Sequence, residues 1–358
     1  MKKRDIYKII FLIIFWELCA IFITFYDATI LGFRSEINGK STNFWITLSV
    51  AVSVCLIGST LLGSLEVLLL GKLLRKKPLG FNLVIKTSVY ICFIFFFTSL
   101  ATIYIYSLEI GQSILSKDVL NYYVIIFLNY RIAATLLYWG IACMLALFFL
   151  QVNEKFGQGV LKNFLLSKYH TPKEDKRIFM FMDLKSSTTY AEKLGHSNYS
   201  KFIQDCFYNL TDIILSYEAN VYQYVGDEVV LTWDIDKGIK QGNCIKTFFS
   251  YDKLLTSKRT YYMNKYGVVP EFKASINLGI IMIAEVGEIK RELAYHGDVL
   301  NTAARIQSMC NKFKKKLLVS EQLKTHFEKQ SSYEFESLGD INLKGKEESV
   351  NIYAVNSA

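Results

Sequence analysis

The sequence predicts an α-helical transmembrane bundle of four helices followed by a cytosolic α+β domain of ferredoxin-like type. Three observations lead there. Apolar residues make up 52% of the 358 positions, with 26 Phe, 23 Tyr and only 3 Pro. Mean hydropathy is +0.24, whereas soluble domains normally fall below zero. Those apolar residues crowd into roughly the first 150 positions, and the length prior of about 150 residues per domain gives two units. Disordered and fibrous chains are excluded by the apolar content. The expected layout is a transmembrane domain at 1–151, a linker at 152–176 and a cytosolic domain at 177–358.

A bilayer crossing takes about 20 apolar residues. Four stretches qualify: Ile9 to Tyr26, interrupted by Glu17; Phe44 to Leu65; Thr87 to Ser107; and Ile132 to Leu150, bounded by Arg131 and Glu154. The first follows MKKRD and is too long for the apolar region of a signal peptide, so an uncleaved helix is expected. Val119 to Tyr130 is also apolar, and fits either an interfacial segment or an extension of the fourth helix. Lys and Arg concentrate at the N-terminus and in GKLLRKKPLG, while the other two loops hold only Arg34, Lys40 and Lys117 before Arg131. The positive-inside rule then puts both termini in the cytoplasm of a multi-pass inner-membrane protein. Glu17 and Glu66 stand at or near membrane depth, where an ionisable group is either a ligand, ion or proton site or a side chain bonded between helices.

Net charge is +9 and the isoelectric point is near 9.0. Much of the excess flanks apolar segments, at Lys2, Lys3, Arg4, Lys72, Arg75, Lys76 and Lys77. Such residues set orientation and meet anionic headgroups, so the lipid bilayer is the expected partner and nucleic acid is not. The 7 Cys form no metal-spaced pair, and reduced thiols are expected. In the linker, Val160, Leu161, Phe164 and Leu165 recur at helical spacing, and Pro172 ends that helix. It reads equally as a tether or as a dimerising transducer.

From Arg177 the pattern changes to short strands and amphipathic helices. Strands are expected at Ile178–Met182, Val221–Val225, Glu228–Trp233, Phe272–Ile283, Leu317–Ser320, Tyr333–Leu338 and Val350–Val355. Helices are expected at Ser187–Tyr217, broken near Gly195, at Lys237–Tyr262 and at Asp298–Asn311. Gly226-Asp227 joins the second and third strands as a hairpin turn. The order β-α-β-β-α-β is that of a ferredoxin-like sandwich.

Asp183 ends the first strand in FMDLKSST, and Asp227 sits at the hairpin tip in YVGDEVVLTW. In such a sheet these strands are neighbours, so the two carboxylates converge. Paired hard oxygen ligands suit Mg²⁺ carrying a triphosphate. Alone, each Asp reads equally well as a turn or cap residue. Asn301 and Arg305 in HGDVLNTAARIQ share one helix face, where an amide and a guanidinium suit a sugar and a developing phosphoryl charge. Lys344 and Lys346 flank Gly345 at a turn in LGDINLKGKEE, within reach of a phosphate. Taken singly, these last residues read as ordinary solvated surface.

In this order and over this span, F-x-D-L-x-x-S-T, V-G-D-E, G-D-x-x-N-x-x-x-R and L-K-G-K resemble the class III nucleotide cyclase catalytic domain. The resemblance covers Arg177 to Val355. It implies two Mg²⁺ or Mn²⁺ ions per site, held by Asp183, Asp227 and the Leu184 carbonyl. It implies that Asn301 orients the ribose, Arg305 stabilises the transition state and Lys344 touches the triphosphate. It further implies a homodimer with composite active sites, converting a nucleoside triphosphate to a 3′,5′-cyclic nucleotide and pyrophosphate. The base-reading positions depart from the family patterns. Adenylate cyclases usually carry Lys four residues before the hairpin Asp and Asp or Thr seven before the Asn, and guanylate cyclases Glu and a small polar residue. Here Gln223 and Ala294 stand there. ATP leads, with GTP and pyrimidine nucleotides open. The rivals are a non-catalytic nucleotide-binding membrane receptor and a diguanylate cyclase. VGDEV lacks the first Gly of the latter's hairpin motif.

Overall fold

The computed structural model describes residues 3–30, 36–37, 40–41, 43–74, 77–127, 130–156, 169–289, 291–327, 333–342 and 349–357. The chain divides into two units, Met1–Phe156 and Gly157–Ala358.

The first unit is helical: α1 (Lys3–Ile30), α2 (Phe44–Leu65), α3 (Leu79–Ile110), α4 (Lys117–Phe127) and α5 (Tyr130–Phe156). Its core joins Leu12, Trp16 and Ala20 of α1 to Leu62 of α2, Tyr90 of α3 and Trp139, Cys143 and Leu147 of α5. Three segments are long and apolar enough to cross a membrane, Asp5–Thr29, Phe44–Leu73 and Gly80–Leu108. The expected count of four is therefore not reached among the described residues. The fourth stretch falls in α5, a helix of 27 residues whose described apolar part is Leu136–Gln151. The apolar run before it forms a separate helix, α4.

Glu66 is buried and is held by two groups of α3: Lys86 Nζ donates to Oε1, and Tyr90 OH donates to Oε2 at 3.2 Å. Of the two sequence readings for Glu66, the structure therefore shows the bonded one. Lys86 escapes a reading that starts the third helix at Thr87, because α3 begins eight residues earlier, at Leu79. After α2 the helix widens into a π-turn at Glu66–Leu70. A Cβ on Gly71 would lie 2.9 Å from the Glu66 carbonyl, so the widened turn needs glycine there. Glu17 lies beside the Cys55 thiol.

The second unit is built on an eight-stranded mixed sheet. In chain order it runs β1 (Lys173–Leu184), α6 (Ser187–Ser216), β2 (Asn220–Val225), β3 (Glu228–Asp234), α7 (Asn243–Ser257), α8 (Arg259–Tyr266), β4 (Phe272–Val286), β5 (Glu292–His296), α9 (Asp298–Phe313), β6 (Leu317–Ser320), β7 (Tyr333–Ile341) and β8 (Val350–Ser357). The sheet order is β2-β3-β1-β4-β6-β8-β7, with β5 paired to β4. The first four strands pair antiparallel, as β-α-β-β-α-β requires. Among the described strands, only β4 and β6 pair in parallel.

Alternation along β1 divides the sheet into two faces. Ile178, Met180 and Met182 pack under α6 and α7, in a core that includes Phe202, Trp233, Phe248 and Tyr251. Phe179 and Phe181 point the other way, toward Val299 and Ala303 of α9. Gly195 breaks α6 with φ 70°, where a break was expected. Two expectations fail. The single helix over Lys237–Tyr262 is instead a short turn followed by α7 and α8, interrupted by Gly242 at φ 74°. Helical periodicity survives this break because the pieces bury the same face. And β5 has no counterpart in the sequence reading.

Candidate active site

The β2–β3 turn is two residues, with a positive φ of 59° at Gly226, the arrangement of a type II′ hairpin with glycine first. It holds Asp227 beside the end of β1. Strand register then sets a row across three strands: Glu228 of β3 stands opposite Asp183, and Lys273 of β4 stands opposite Asp183 on its other side. Directly opposed residues share a face. The row therefore lies on the face that α9 covers.

Two donors meet one oxygen of Asp183. Gln307 Nε2 donates to Oδ2 at 3.0 Å, and Lys273 Nζ lies 3.3 Å from the same atom. Burial pushes the Asp183 carboxyl above its ordinary value; Gln307 and Lys273 oppose that, and the Asp227 charge adds to it. Glu228 is pushed up to about 7, first by burial and then by the charges of Asp183 and Asp227, with Lys273 opposing. Two carboxylates held side by side against burial form a site that a divalent cation would relieve. Among the described residues no group of three or more acidic, thiol or imidazole side chains is arranged to hold a metal alone. Two carboxylates with substrate phosphates completing the shell is the usual way Mg²⁺ is bound, so the residues present fit such an ion. Leu184 closes β1 opposite Phe272 with its side chain buried.

Helix α9 is fastened to β4 by a series of polar contacts. Asn277 Nδ2 donates to the Val299 carbonyl at 3.0 Å, and Ser275 Oγ donates to the Ala303 carbonyl at 2.6 Å. A Cβ on Gly279 would come within 2.4 Å of Val299 Cγ2, so this close approach also needs glycine. Gln307 stands one further turn along the same inner face. Arg305 precedes it by two residues, about 200° round the helix. Asn301 is exposed and Arg305 is half-buried, on the side turned away from the Asp183–Gln307 contact. Arg305 Nη1 is buried with no hydrogen-bond partner among the described residues. Within one chain, then, Asp183 and Asp227 come together, while Asn301 and Arg305 face elsewhere.

An aromatic contact links β2 to β5, which pairs with β4. Tyr222 and Tyr295 stack at 4.7 Å, and Tyr295 also meets Phe179 at 5.7 Å. Gln223 and Ala294 are the immediate neighbours of the stacked pair. Lys344 and Lys346 lie outside the described residues, as do Val160, Leu161, Phe164 and Leu165 of the linker.

Sequence reasoning missed Gln307, Lys273 and Glu228. The available signal for Gln307 was its place on the mostly apolar inner stripe of α9, with Val299, Thr302, Ala303, Ile306 and Cys310.

A protein named adenylate cyclase 2, from Rhizobium meliloti (strain 1021), is 30% identical over 200 residues, covering 56% of this chain and 55% of that protein. The chain thus spans about half the length of this curated relative. Two solved structures of a bacterial light-regulated adenylyl cyclase share the fold. One is 21% identical with a TM-score of 0.52, covering 60% of this chain and 64% of its own. The other is also 21% identical, with a TM-score of 0.51 over 58% of this chain and 61% of its own. The model of the adenylate and guanylate cyclase catalytic domain matches residues 170–357, more than half of the sequence, and the chain belongs to that family.

Proposed function

We propose that this chain is a membrane-anchored nucleotide cyclase that converts a nucleoside triphosphate, ATP first, to the 3′,5′-cyclic nucleotide and pyrophosphate. The observation that carries this reading is the pairing of Asp183 with Asp227 at the strand ends, two half-buried carboxylates brought side by side. The name of the Rhizobium relative favours ATP.

In this reading Asp183 and Asp227, with the Leu184 carbonyl, hold two Mg²⁺ or Mn²⁺ ions. Such ions would supply charge that lowers the pKa of the ribose 3′-hydroxyl and offsets that of the departing pyrophosphate. Asp183 and Asp227 fix where the triphosphate sits. Asn301 orients the ribose so that its 3′-oxygen lies in line with the α-phosphorus. Arg305 offers its guanidinium to the charge that develops on the transferred phosphoryl group. Lys344 adds charge against the triphosphate. Because α9 turns Asn301 and Arg305 away from the carboxylates of its own chain, they act in the site of a second copy. The homodimer then carries two composite sites.

Purified full-length protein with Mn²⁺ should release pyrophosphate and cyclic product from ATP, with GTP, CTP and UTP assayed beside it. No turnover of any of the four would overturn the reading. Gln223→Lys with Ala294→Asp supplies the charged donor and acceptor of the adenylate pattern and should raise the ATP-to-GTP preference about tenfold, the value of one added base contact of roughly 1.4 kcal/mol. An unchanged ranking in a still active double mutant would remove both positions from base recognition.

The bundle is read as four crossings, with α5 the fourth, and with the N-terminus and everything after Gly157 cytoplasmic. A reporter fused at Ala358 should then report cytosol, and one inserted at residues 32–43 the outside. An external signal at Ala358 would correct the count to three.

A further inference from the structure

We propose that Gln307 is a positioning residue for the metal-binding carboxylate of Asp183, and that α9 thereby serves two active sites at once. Its inner face sets the Asp183 carboxylate of its own chain, while its outer face presents Asn301 and Arg305 to the other copy. The inference rests on the composite-site reading above.

The support is geometric. Three contacts climb the inner face of α9 at four-residue steps. Val299 and Ala303 accept from Asn277 and Ser275 through their carbonyls, at 3.0 and 2.6 Å. Gln307 then donates its side-chain amide to Asp183 Oδ2 at 3.0 Å. The first two bonds fix the register of α9 on β4 and involve nothing of the site. The third spends the side chain itself on the carboxylate. Gln307 is only 7% exposed, and a buried amide on an apolar helix stripe is retained only where it finds a partner. Gln307 and Lys273 both meet Oδ2. An outer donor of this kind orients a carboxylate ligand and keeps it ionised, and losing one typically weakens metal binding 10–100-fold.

The geometry also fixes where the effect must appear. Suppose Gln307 acts through Asp183. Then its loss damages the site that uses its own chain's carboxylates. Suppose it merely props up α9. Then its loss damages the site that receives its own chain's Arg305. The two differ because those sites are opposite ones in the dimer.

Two measurements on the full-length protein test this. The first is Mn²⁺ binding without nucleotide, read from the electron paramagnetic resonance of the free ion. Gln307→Leu keeps the bulk and removes the donor, and should raise the dissociation constant about 10–100-fold. An unchanged constant for Gln307→Leu, with Asp227→Ala clearly weakened, overturns the role of Gln307 alone. If Asp227→Ala leaves binding unchanged as well, the metal reading itself has failed.

The second uses chains that are inactive except in mixed dimers, one carrying Arg305→Ala and the other Asp183→Ala. The surviving site takes its carboxylates from the first chain and its arginine from the second. Gln307→Leu placed on the Arg305→Ala chain should shift Mn²⁺ activation of the mixed dimer about 10–100-fold. The same substitution placed on the Asp183→Ala chain should leave the activation constant of the unsubstituted mixture. The reverse pattern, or an equal shift in both, would mean that Gln307 acts by supporting α9, and the proposal falls.

Discussion

Asp183→Ala and Asp227→Ala should each lower turnover by about 10²–10³, since each removes a charge that supplies several kcal/mol of stabilisation with the cation, and 1.36 kcal/mol is tenfold in rate. The measurement is initial cyclisation rate at saturating Mn²⁺ and nucleotide. Activity above about a tenth of wild type in either variant would contradict the assignment. Stability should move independently. The folded state raises the pKa of Asp183 and takes Glu228 to about 7, in part through the Asp227 charge. A carboxyl raised in the folded state favours folding when protonated and opposes it once ionised. The penalty is therefore absent below the unfolded value near 4, grows as pH rises, and is complete above about 7. Asp227→Asn relieves it, so without divalent ions this variant should melt roughly 2–4 °C higher than wild type at pH 8, the shift that about 1 kcal/mol produces at this size. The advantage should shrink toward pH 4. Mn²⁺ should raise the melting temperature of the wild type and not of the variant. A variant that is inactive and less stable at pH 8 would mean that Asp227 shapes the turn rather than the charge of the site.

The second large effect is recovery of activity from two dead proteins. Asp183→Ala and Arg305→Ala should each be inactive alone, the arginine because a guanidinium on a transferring phosphoryl group is worth orders of magnitude in rate. Mixed under subunit exchange, about half of the dimers are heterodimers, and each has one intact site of two. Activity should therefore approach about a quarter of wild type. The composite-site reading expects this outcome, because Gln307 faces the chain's own Asp183 while Arg305, two residues earlier, lies about 200° round the helix. No recovery between folded, exchanging mutants would place the whole site in one chain and withdraw the roles given to Asn301 and Arg305.

The parts legible in the sequence are those written in local periodicity. The strand Leu317–Ser320 and the start of β3 at Glu228 stand where short apolar runs put them, and the break at Gly195 stands where glycine put it. Asp183 and Asp227 were legible as a pair because a hairpin and its neighbouring strand leave them few places to go. Lys273 and Glu228 were not, because both were read as ordinary strand residues, and only the register of β1 against β3 and β4 brings them to Asp183. Register is a tertiary property, and a slip of one residue would send the same side chains to the other face. Gln307 was hidden for a related reason. Its helix was assigned by its exposed motif residues, while its inner face is defined by what β4 presents to it. The pairing of Glu66 with Lys86 lay outside the apolar window used to find α3. A window that ends at the first charge cannot show that the charge has a partner.

The central place of β1 has a consequence for synthesis. Its neighbours in the sheet are β3 and β4, so one side of β1 stays open until residue 286 has left the ribosome. That is about 100 residues after Leu184, or roughly 5–20 s at ordinary elongation rates. During that interval IFMFM, apolar on both faces, stands with an unpaired edge. The run that precedes it is KEDKR, five charged residues in the same strand. Charges beside an unavoidable sticky strand discourage nascent chains from joining each other. In the membrane-anchored reading, the helices made earlier would also hold each growing chain at its own point on the bilayer. Anchoring before folding would then keep apart the very strands that otherwise find one another first.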